Sequence, residues 1–306
     1  MFPGQGSQSI GMGLDLFKKF DYIKELFNYA DDCLKKKISK IILEGPEHQL
    51  KLTQNTQPAI MIVSYSFFKV LQKELGIDNK HFKYFAGHSL GEYSALVCSN
   101  SLSFKDALFL LNERGKAMQG AVPVGKGGMI AVLGSDIKTI ESLISKLDKN
   151  GVCEIANDNS KGQIIVSGDV NAVNSFKKLL DDTKIKNIAL PVSAPFHCSL
   201  MKTASKDMEE KINRIKFLKP KTAIVANVTA KEENNPDTIK SLLVKQIFSQ
   251  VRWRESMEFM GNSGINTFIE VGPGKVLTGL AKRIVKDKKI ISINEIDNLE
   301  LLKNEF

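Results

Sequence analysis

The chain has 306 residues, 42% hydrophobic and 25% charged, the balance of a soluble globular protein with room for one large domain and a smaller one. No apolar run approaches the ~18 residues that span a bilayer, and the opening MFPGQGSQ has neither the charged leader nor the apolar stretch of a signal peptide. The net charge of +9 comes from 38 lysines against only 5 arginines, with 29 isoleucines and 20 asparagines; nucleic-acid readers lean on arginine, so the balance points to a solvated lysine-rich surface or a basic face for an acidic partner.

In chain order, residues 15–45 carry apolar side chains at helical spacing and stop at Gly45-Pro46. The mostly apolar run after Pro58, ending at Gly76, reads as a buried helix. KYFAG (83–87) is a short strand, 91–99 a helix, and FKDALFLLNERGKAMQGA a second helix that breaks at Val122-Pro123. The character then changes. GGMIAVLG is a strand, IKTIESLISKLDK an amphipathic helix, VCEIANDN and GQIIVSGD two strands, NAVNSFKKLLDDT a helix and IKNIALPVS a strand. That β-α-β-β-α-β order is the ferredoxin-like unit, which places an inserted subdomain at 125–191 between the two parts, 1–124 and 192–306, of a larger domain. After the insertion, helix and strand alternate again: SLMKTASKDMEEKINRI, TAIVANVT, TIKSLLVKQIFS, ESMEFMGNSG, TFIEVG and KVLTGLAKRIV. The expected fold class is therefore α/β, with one largely parallel sheet in the larger domain. The tail from Asp297 carries no pattern.

Gly87-His88-Ser89-Leu90-Gly91 matches the nucleophile-elbow spacing, and its context fits: a strand enters, the glycines permit the tight turn, and a helix leaves. Ser89 would sit at a helix N-terminus, where the dipole favours developing negative charge, with the Leu90 N–H placed for an oxyanion. The bland alternative is a serine that only caps a helix. Of the four histidines, His48 and His81 stand in polar surface sequence, and His88 is the elbow's own neighbour. His197, in LPVSAPFHCSLM, lies where the chain re-enters the larger domain and is the candidate base, against a packed core histidine. No Asp or Glu stands out as a third member, so a carbonyl oxygen is the candidate to orient the imidazole. Arg114 sits in an otherwise apolar helix face near the elbow; it could clamp a carboxylate bidentately, or pair with Glu113. Cys33, Cys98, Cys153 and Cys198 lack metal-ligand spacing and read as free thiols of a reducing compartment, with no metal site. The glycine-rich start lacks a phosphate-loop ending and reads better as a loop lining a site, and EVGPGKVL as a strand-to-helix turn. On residues alone, an acyltransferase, a serine hydrolase and a basic binding module all stay open.

FPGQGSQ, GHSLGEYSAL, ERGKAMQ, AxxNxxxQxxxSG (156–168), PFH and EVGPGKVLTGL, in this order and over nearly the whole chain, resemble the malonyl-CoA:acyl carrier protein transacylase family of type II fatty acid synthesis. The resemblance implies an α/β-hydrolase-like large domain with the ferredoxin-like insertion. It implies Ser89 as the nucleophile that carries malonate, His197 as base and then acid, the Gln246 carbonyl as the group that orients the imidazole, and the N–H groups of Gln5 and Leu90 as the oxyanion hole. It further implies Arg114 as the carboxylate clamp and substrate contacts at His88, Phe196, Asn157 and Val276. Phe196 would leave little room for an α-methyl group, favouring malonyl over methylmalonyl. The implied partners are malonyl-CoA and acyl carrier protein with its phosphopantetheine arm, with no cofactor of the enzyme's own, no nucleic acid, no membrane, and a monomer. The family pattern places a strand before FPGQGSQ, whereas this sequence opens at Met1-Phe2-Pro3; either that strand lies outside the sequence or the start has been altered, any transit peptide would lie outside with it, and a bacterial cytoplasm and a plastid-type organelle both stay open.

Overall fold

Residues 15–45, whose apolar spacing suggests continuous helix, divide into three helices in the computed structural model, which describes residues 1–148, 150–192 and 194–302. These are α1 (Leu14–Lys19), α2 (Asp21–Leu34) and α3 (Ile38–Leu43), broken at extended Phe20 and left-handed Lys35, neither of which is a glycine or proline that would announce the break. A one-turn α4 (Glu47–Leu50) leads into α5 (Thr53–Leu75), which is buried on nearly every side. This helix begins five residues before Pro58 rather than after it. Proline lacks the N–H that would bond the carbonyl four residues back, and that carbonyl, Gln54 O, instead accepts from Asn112 Nδ2 at 3.0 Å.

Strand β1 (Tyr84–Ala86) runs into α6 (Gly91–Cys98), and α7 (Phe104–Gly120) packs along α5. Next come β2 (Gly127–Leu133), α8 (Ile137–Ile144), β3 (Cys153–Ser160), β4 (Gln163–Asp169), α9 (Val170–Asp182) and β5 (Asn187–Ala189). All pairings among these strands are antiparallel and their order is β3-β4-β2-β5. Side chains alternate across such a sheet. One face (Ile130, Val132, Ile164, Val166) packs with Ile140, Leu143 and Phe176 of α8 and α9 into a separate core, while Met129, Ala131 and Ile165 face the main core. Helix α8 is shorter than its sequence pattern suggests. Lys149 at that pattern's end, Ser193 in IKNIALPVS and residues 303–306 of the tail lie outside the described residues.

The remaining elements are α10 (Lys202–Arg214), β6 (Ala223–Val225), β7 (Glu232–Glu233), α11 (Pro236–Gln246), α12 (Trp253–Asn262), β8 (Thr267–Val271), α13 (Val276–Ile284) and β9 (Lys289–Ile293). Neither β7 nor β9 is among the strands expected from the sequence, although Ile290, Ile291 and Ile293 make β9 a β-branched run. β1 pairs parallel with β6, β6 antiparallel with β7, and β8 parallel with β9. Met1 and Phe2 join these two groups. Phe2 N–H donates to Ala86 O (2.9 Å) and His88 N–H to Phe2 O (3.0 Å), while the Met1 amine donates to Ile269 O (2.6 Å) and Val271 N–H to Met1 O (2.9 Å). The molecule is thus mixed α/β, and β1, β6 and the chain start end together at the edge that carries the elbow.

Candidate active site

The elbow is built by close backbone approach. A Cβ on Gly87 would lie 1.9 Å from the Gly91 carbonyl carbon, and one on Gly91 would lie 2.2 Å from Phe2 O, so neither position accepts a side chain. Between them Ser89 adopts φ 52°, a left-handed conformation that costs a non-glycine residue free energy unless its surroundings hold it. They do: Ser89 N–H donates to Asn227 Oδ1 (2.8 Å), and Gln246 Nε2 donates to Ser89 O (3.0 Å).

Ser89 Oγ lies 2.8 Å from His197 Nε2, and His197 Nδ1 lies 2.8 Å from the Gln246 carbonyl oxygen. A carbonyl only accepts, so Nδ1 carries the proton and Nε2 is free to accept from the serine hydroxyl. No carboxylate is needed to fix that tautomer. His197 itself has φ 59°, on the loop that follows β5, and is 5% exposed. Burial first, and then the nearby Arg114 cation, lower its pKa to about 3. The imidazole is therefore neutral at physiological pH, as a base must be.

Arg114 is 1% exposed and does not pair with Glu113, which binds Lys116 and Lys211 instead. From α7 it donates through Nη1 to Gln57 Oε1 (2.8 Å) and through Nη2 to Ser89 Oγ (3.1 Å) and Gln246 Oε1 (3.0 Å). Its Nε has no hydrogen-bond partner among the described residues. A buried guanidinium beside the serine oxygen, with amide oxygens rather than a carboxylate as its partners, is poised to take an incoming carboxylate.

These groups open into a cavity of about 240 Å³. Its lining brings together Gln5, the elbow residues His88, Ser89 and Leu90, Arg114, Asn157, the pair Phe196 and His197, and Val276, six separate stretches of the sequence, while Gln246 stands behind them, fully buried. Gln5 and Leu90 come from two loops at the same strand ends, and among the described residues neither backbone N–H has an acceptor. His88 turns away from the serine: its Nε2 donates to Asn159 Oδ1 (2.8 Å) and its ring packs on Trp253. Asn157 lies where β3 bulges and bridges to Val251, and Val276 is half exposed at the rim. Of the other two histidines, His48 is exposed, and His81 accepts from Asp78 N–H in a short capping turn. The four cysteines are unpaired, and among the described residues no three His, Cys, Asp or Glu side chains are gathered as metal ligands.

The model of the acyl transferase domain matches residues 1–300. The chain belongs to this family. It is 40% identical over 303 residues to malonyl CoA-acyl carrier protein transacylase of Bacillus subtilis, covering 98% of this chain and 94% of that protein. It is likewise 40% identical to the Escherichia coli K12 protein of the same name, covering 96% and 95%. Among solved structures, the acyl-carrier-protein S-malonyltransferase of Bartonella henselae superposes with a TM-score of 0.95 at 44% identity, covering 98% of this chain and 96% of that one. A malonyl-transacylase solved in complex with its type II polyketide acyl-carrier protein gives 0.94 at 37%, covering 99% and 97%. The resemblance drawn from the motifs is borne out, and the chain is an acyltransferase.

In this acyltransferase several polar groups around the serine escape the motif reading. Asn227 follows β6, which lies parallel to β1 with Val225 opposite Ala86, so two residues further on it reaches the elbow. Gln57 on α5 and Glu92 on α6 are buried polar residues, a signal available from the sequence only as polar residues within largely apolar helices. Asn159 is the asparagine of the AxxNxxxQxxxSG pattern itself, two residues from the Asn157 that the resemblance singled out. EVGPGKVL proves to be more than a turn: Glu270 accepts from Leu277 N–H (3.1 Å) and Thr278 N–H (2.6 Å), fixing the start of α13 and with it the cavity residues Val276, Leu277 and Leu280.

Proposed function

We propose that the enzyme transfers the malonyl group from malonyl-CoA to the phosphopantetheine thiol of acyl carrier protein through a malonyl ester on Ser89. The observation that carries this reading is the buried Arg114 guanidinium, 3.1 Å from the Oγ of a serine that is also bonded to a neutral imidazole. An attacking hydroxyl and a site for a second, remote carboxylate occupy one small cavity, which is what a dicarboxylic thioester requires. Ser89 Oγ gives its proton to His197 Nε2 as it bonds to the thioester carbon, and charge develops on the carbonyl oxygen. The N–H groups of Leu90 and Gln5 take that oxyanion; each such donor contributes roughly 3–4 kcal/mol. The tetrahedral adduct collapses, the C–S bond breaks, and His197 returns the proton to the CoA sulfur. The carrier's thiol then enters and the steps run in reverse, so the two substrates use the site in turn. Acetyl-CoA would leave the guanidinium buried without its carboxylate, and Phe196 crowds the position of an α-substituent.

The antiparallel order β3-β4-β2-β5 with both helices on one face supports a ferredoxin-like subdomain at 125–191, and the strand–elbow–helix unit supports an α/β-hydrolase-like large domain around it. Intact mass of the protein after malonyl-CoA treatment tests the reaction. One malonyl adduct on Ser89, discharged by holo-carrier protein faster than by water, is the expected result. No adduct, or discharge by water alone at the same rate, overturns it.

A further inference from the structure

Beneath the serine lies a polar cluster that the chemistry above does not use. Glu92, the second residue of α6, could have turned to solvent and favoured the helix dipole from outside. It points inward instead and is 2% exposed. A carboxyl group in such a place is costly unless its oxygens are bonded. Oε2 accepts from Gln246 Nε2 (2.9 Å) and from Asn227 N–H (3.0 Å). Both donors belong to residues that hold the elbow. Asn227 accepts from Ser89 N–H through Oδ1 and donates to Gly87 O through Nδ2 (2.7 Å). Gln246 donates to Ser89 O, receives Arg114 Nη2 on its side-chain oxygen, and offers its own carbonyl to His197. One carboxyl oxygen thus lies at the root of contacts that reach the nucleophile's backbone on both sides, the base and the guanidinium.

We propose that Glu92 is a positioning residue: by accepting from Gln246 and Asn227 it fixes the amide of Gln246 between Arg114 and Ser89 and the amide of Asn227 on the strained elbow, so that Oγ, imidazole and guanidinium keep their mutual geometry. The role belongs to the acceptor oxygen and not to a negative charge. Burial pushes the Glu92 carboxyl up to about 7, against the pull of its hydrogen bonds and of Arg114, so near neutrality both forms are present, and both keep an acceptor oxygen. Without that oxygen, Asn227 N–H loses its acceptor and Gln246 Nε2 loses the shortest of its three, keeping only Ser89 O (3.0 Å) and Asn227 Oδ1 (3.2 Å), so the amide's orientation is held less firmly. A reversed amide would present NH₂ to the Arg114 cation.

The inference rests on the reading of Ser89 as nucleophile, so the test separates the two. A fluorophosphonate probe reports Ser89 reactivity without any malonyl group, and malonyl-CoA turnover reports the complete reaction. If wild-type Ser89 labels with neither reagent, the nucleophile reading fails, and the proposal with it. If the wild type labels, Glu92→Ala is expected to slow both fluorophosphonate labelling and kcat at least tenfold while KM for malonyl-CoA stays within threefold. Glu92→Gln, which presents the same oxygen to both donors, should stay within threefold of wild type. Asn227→Ala should resemble Glu92→Ala, and the double variant should be little worse than the poorer single one, because both act on one geometry. Should Glu92→Ala not fold, Glu92→Gln and Asn227→Ala carry the test. Wild-type kcat and labelling in folded Glu92→Ala or Asn227→Ala, a Glu92→Gln as poor as the alanine variant is expected to be, or losses that multiply in the double variant would each overturn the proposal.

Discussion

Arg114 carries its charge almost fully buried, and that charge acts on two neighbours. It donates to Ser89 Oγ, and it helps hold the His197 imidazole well below its ordinary pKa, second only to burial. Binding a malonyl carboxylate would neutralise that field, so the base would become more basic once the correct substrate is seated. Arg114→Ala should therefore do two things. Its kcat/KM for malonyl-CoA should fall on the order of 100-fold, the scale of a lost buried ionic contact, while that for acetyl-CoA falls less than tenfold. Its His197 pKa should rise, because a positive neighbour disfavours the imidazolium and its removal relieves this; NMR of isotope-labelled histidine reads the shift. Equal losses for the two thioesters would remove the clamp, and a lower or unchanged His197 value would remove the coupling. The lowered value also fixes a sign for stability. Between pH 6.5 and about 3 the unfolded chain holds a proton that folded His197 does not, so this residue's contribution is complete above pH 6.5 and is lost as pH falls.

At the scale of elements, the strand–turn–helix around Ser89 follows from two glycines whose missing Cβ atoms admit backbone from elsewhere. Gly87→Ala would drive a methyl into the Gly91 carbonyl, which is backbone and cannot step aside; a loss of about 4 kcal/mol or more in urea unfolding, or failure to fold, is expected. Gly120, at the end of α7, has open space around its position and no left-handed φ, and Gly120→Ala should instead add about 0.4–1 kcal/mol. If the two variants have the same stability, the close-approach account is wrong. This elbow was legible in the sequence because glycine and serine spacing is a local signal, and so was the β-α-β-β-α-β order, which periodicity marks. Strand β7 was not legible because two glutamates carry no alternation, nor were the breaks at Phe20 and Lys35, which lack a breaker residue. Asn227, Glu92 and Gln57 could not be read either. Asn227 reaches Ser89 across 138 positions of sequence and Glu92 reaches Gln246 across 154, and nothing local in the chain records such a meeting. The side chain of Gln246 was missed for the same reason, although its carbonyl was implied by the resemblance.

Across the whole molecule, the cavity is closed by two bodies of structure tied at a few defined points. His88 Nε2 bonds Asn159 on β3, Arg254 of α12 pairs with buried Asp158 at 2.7 Å, and Val251 exchanges backbone hydrogen bonds with Ala156 and Asp158. These contacts hold the small sheet's Met129 and Ile165 over the serine as one wall, while α13 supplies another. The rim by α13 exposes Val276 next to Lys275, on a chain whose net charge is +9. A field of that sign draws an acidic carrier protein toward the opening and weakens as salt shortens its range to about 10 Å at 0.1 M. The phosphopantetheine arm alone, presented as neutral pantetheine, would reach the proposed Ser89 ester without feeling it. KM for the carrier should therefore rise severalfold between 0.05 and 0.5 M salt, roughly the range over which the screening length falls from above to well below 10 Å, whereas KM for pantetheine stays nearly flat. Lys275→Glu should raise KM for the carrier at low salt, leave the pantetheine reaction alone, and shrink the salt response. If the carrier and pantetheine respond to salt alike, the surface charge plays no part in docking, and apolar contacts such as Val276 must carry it instead.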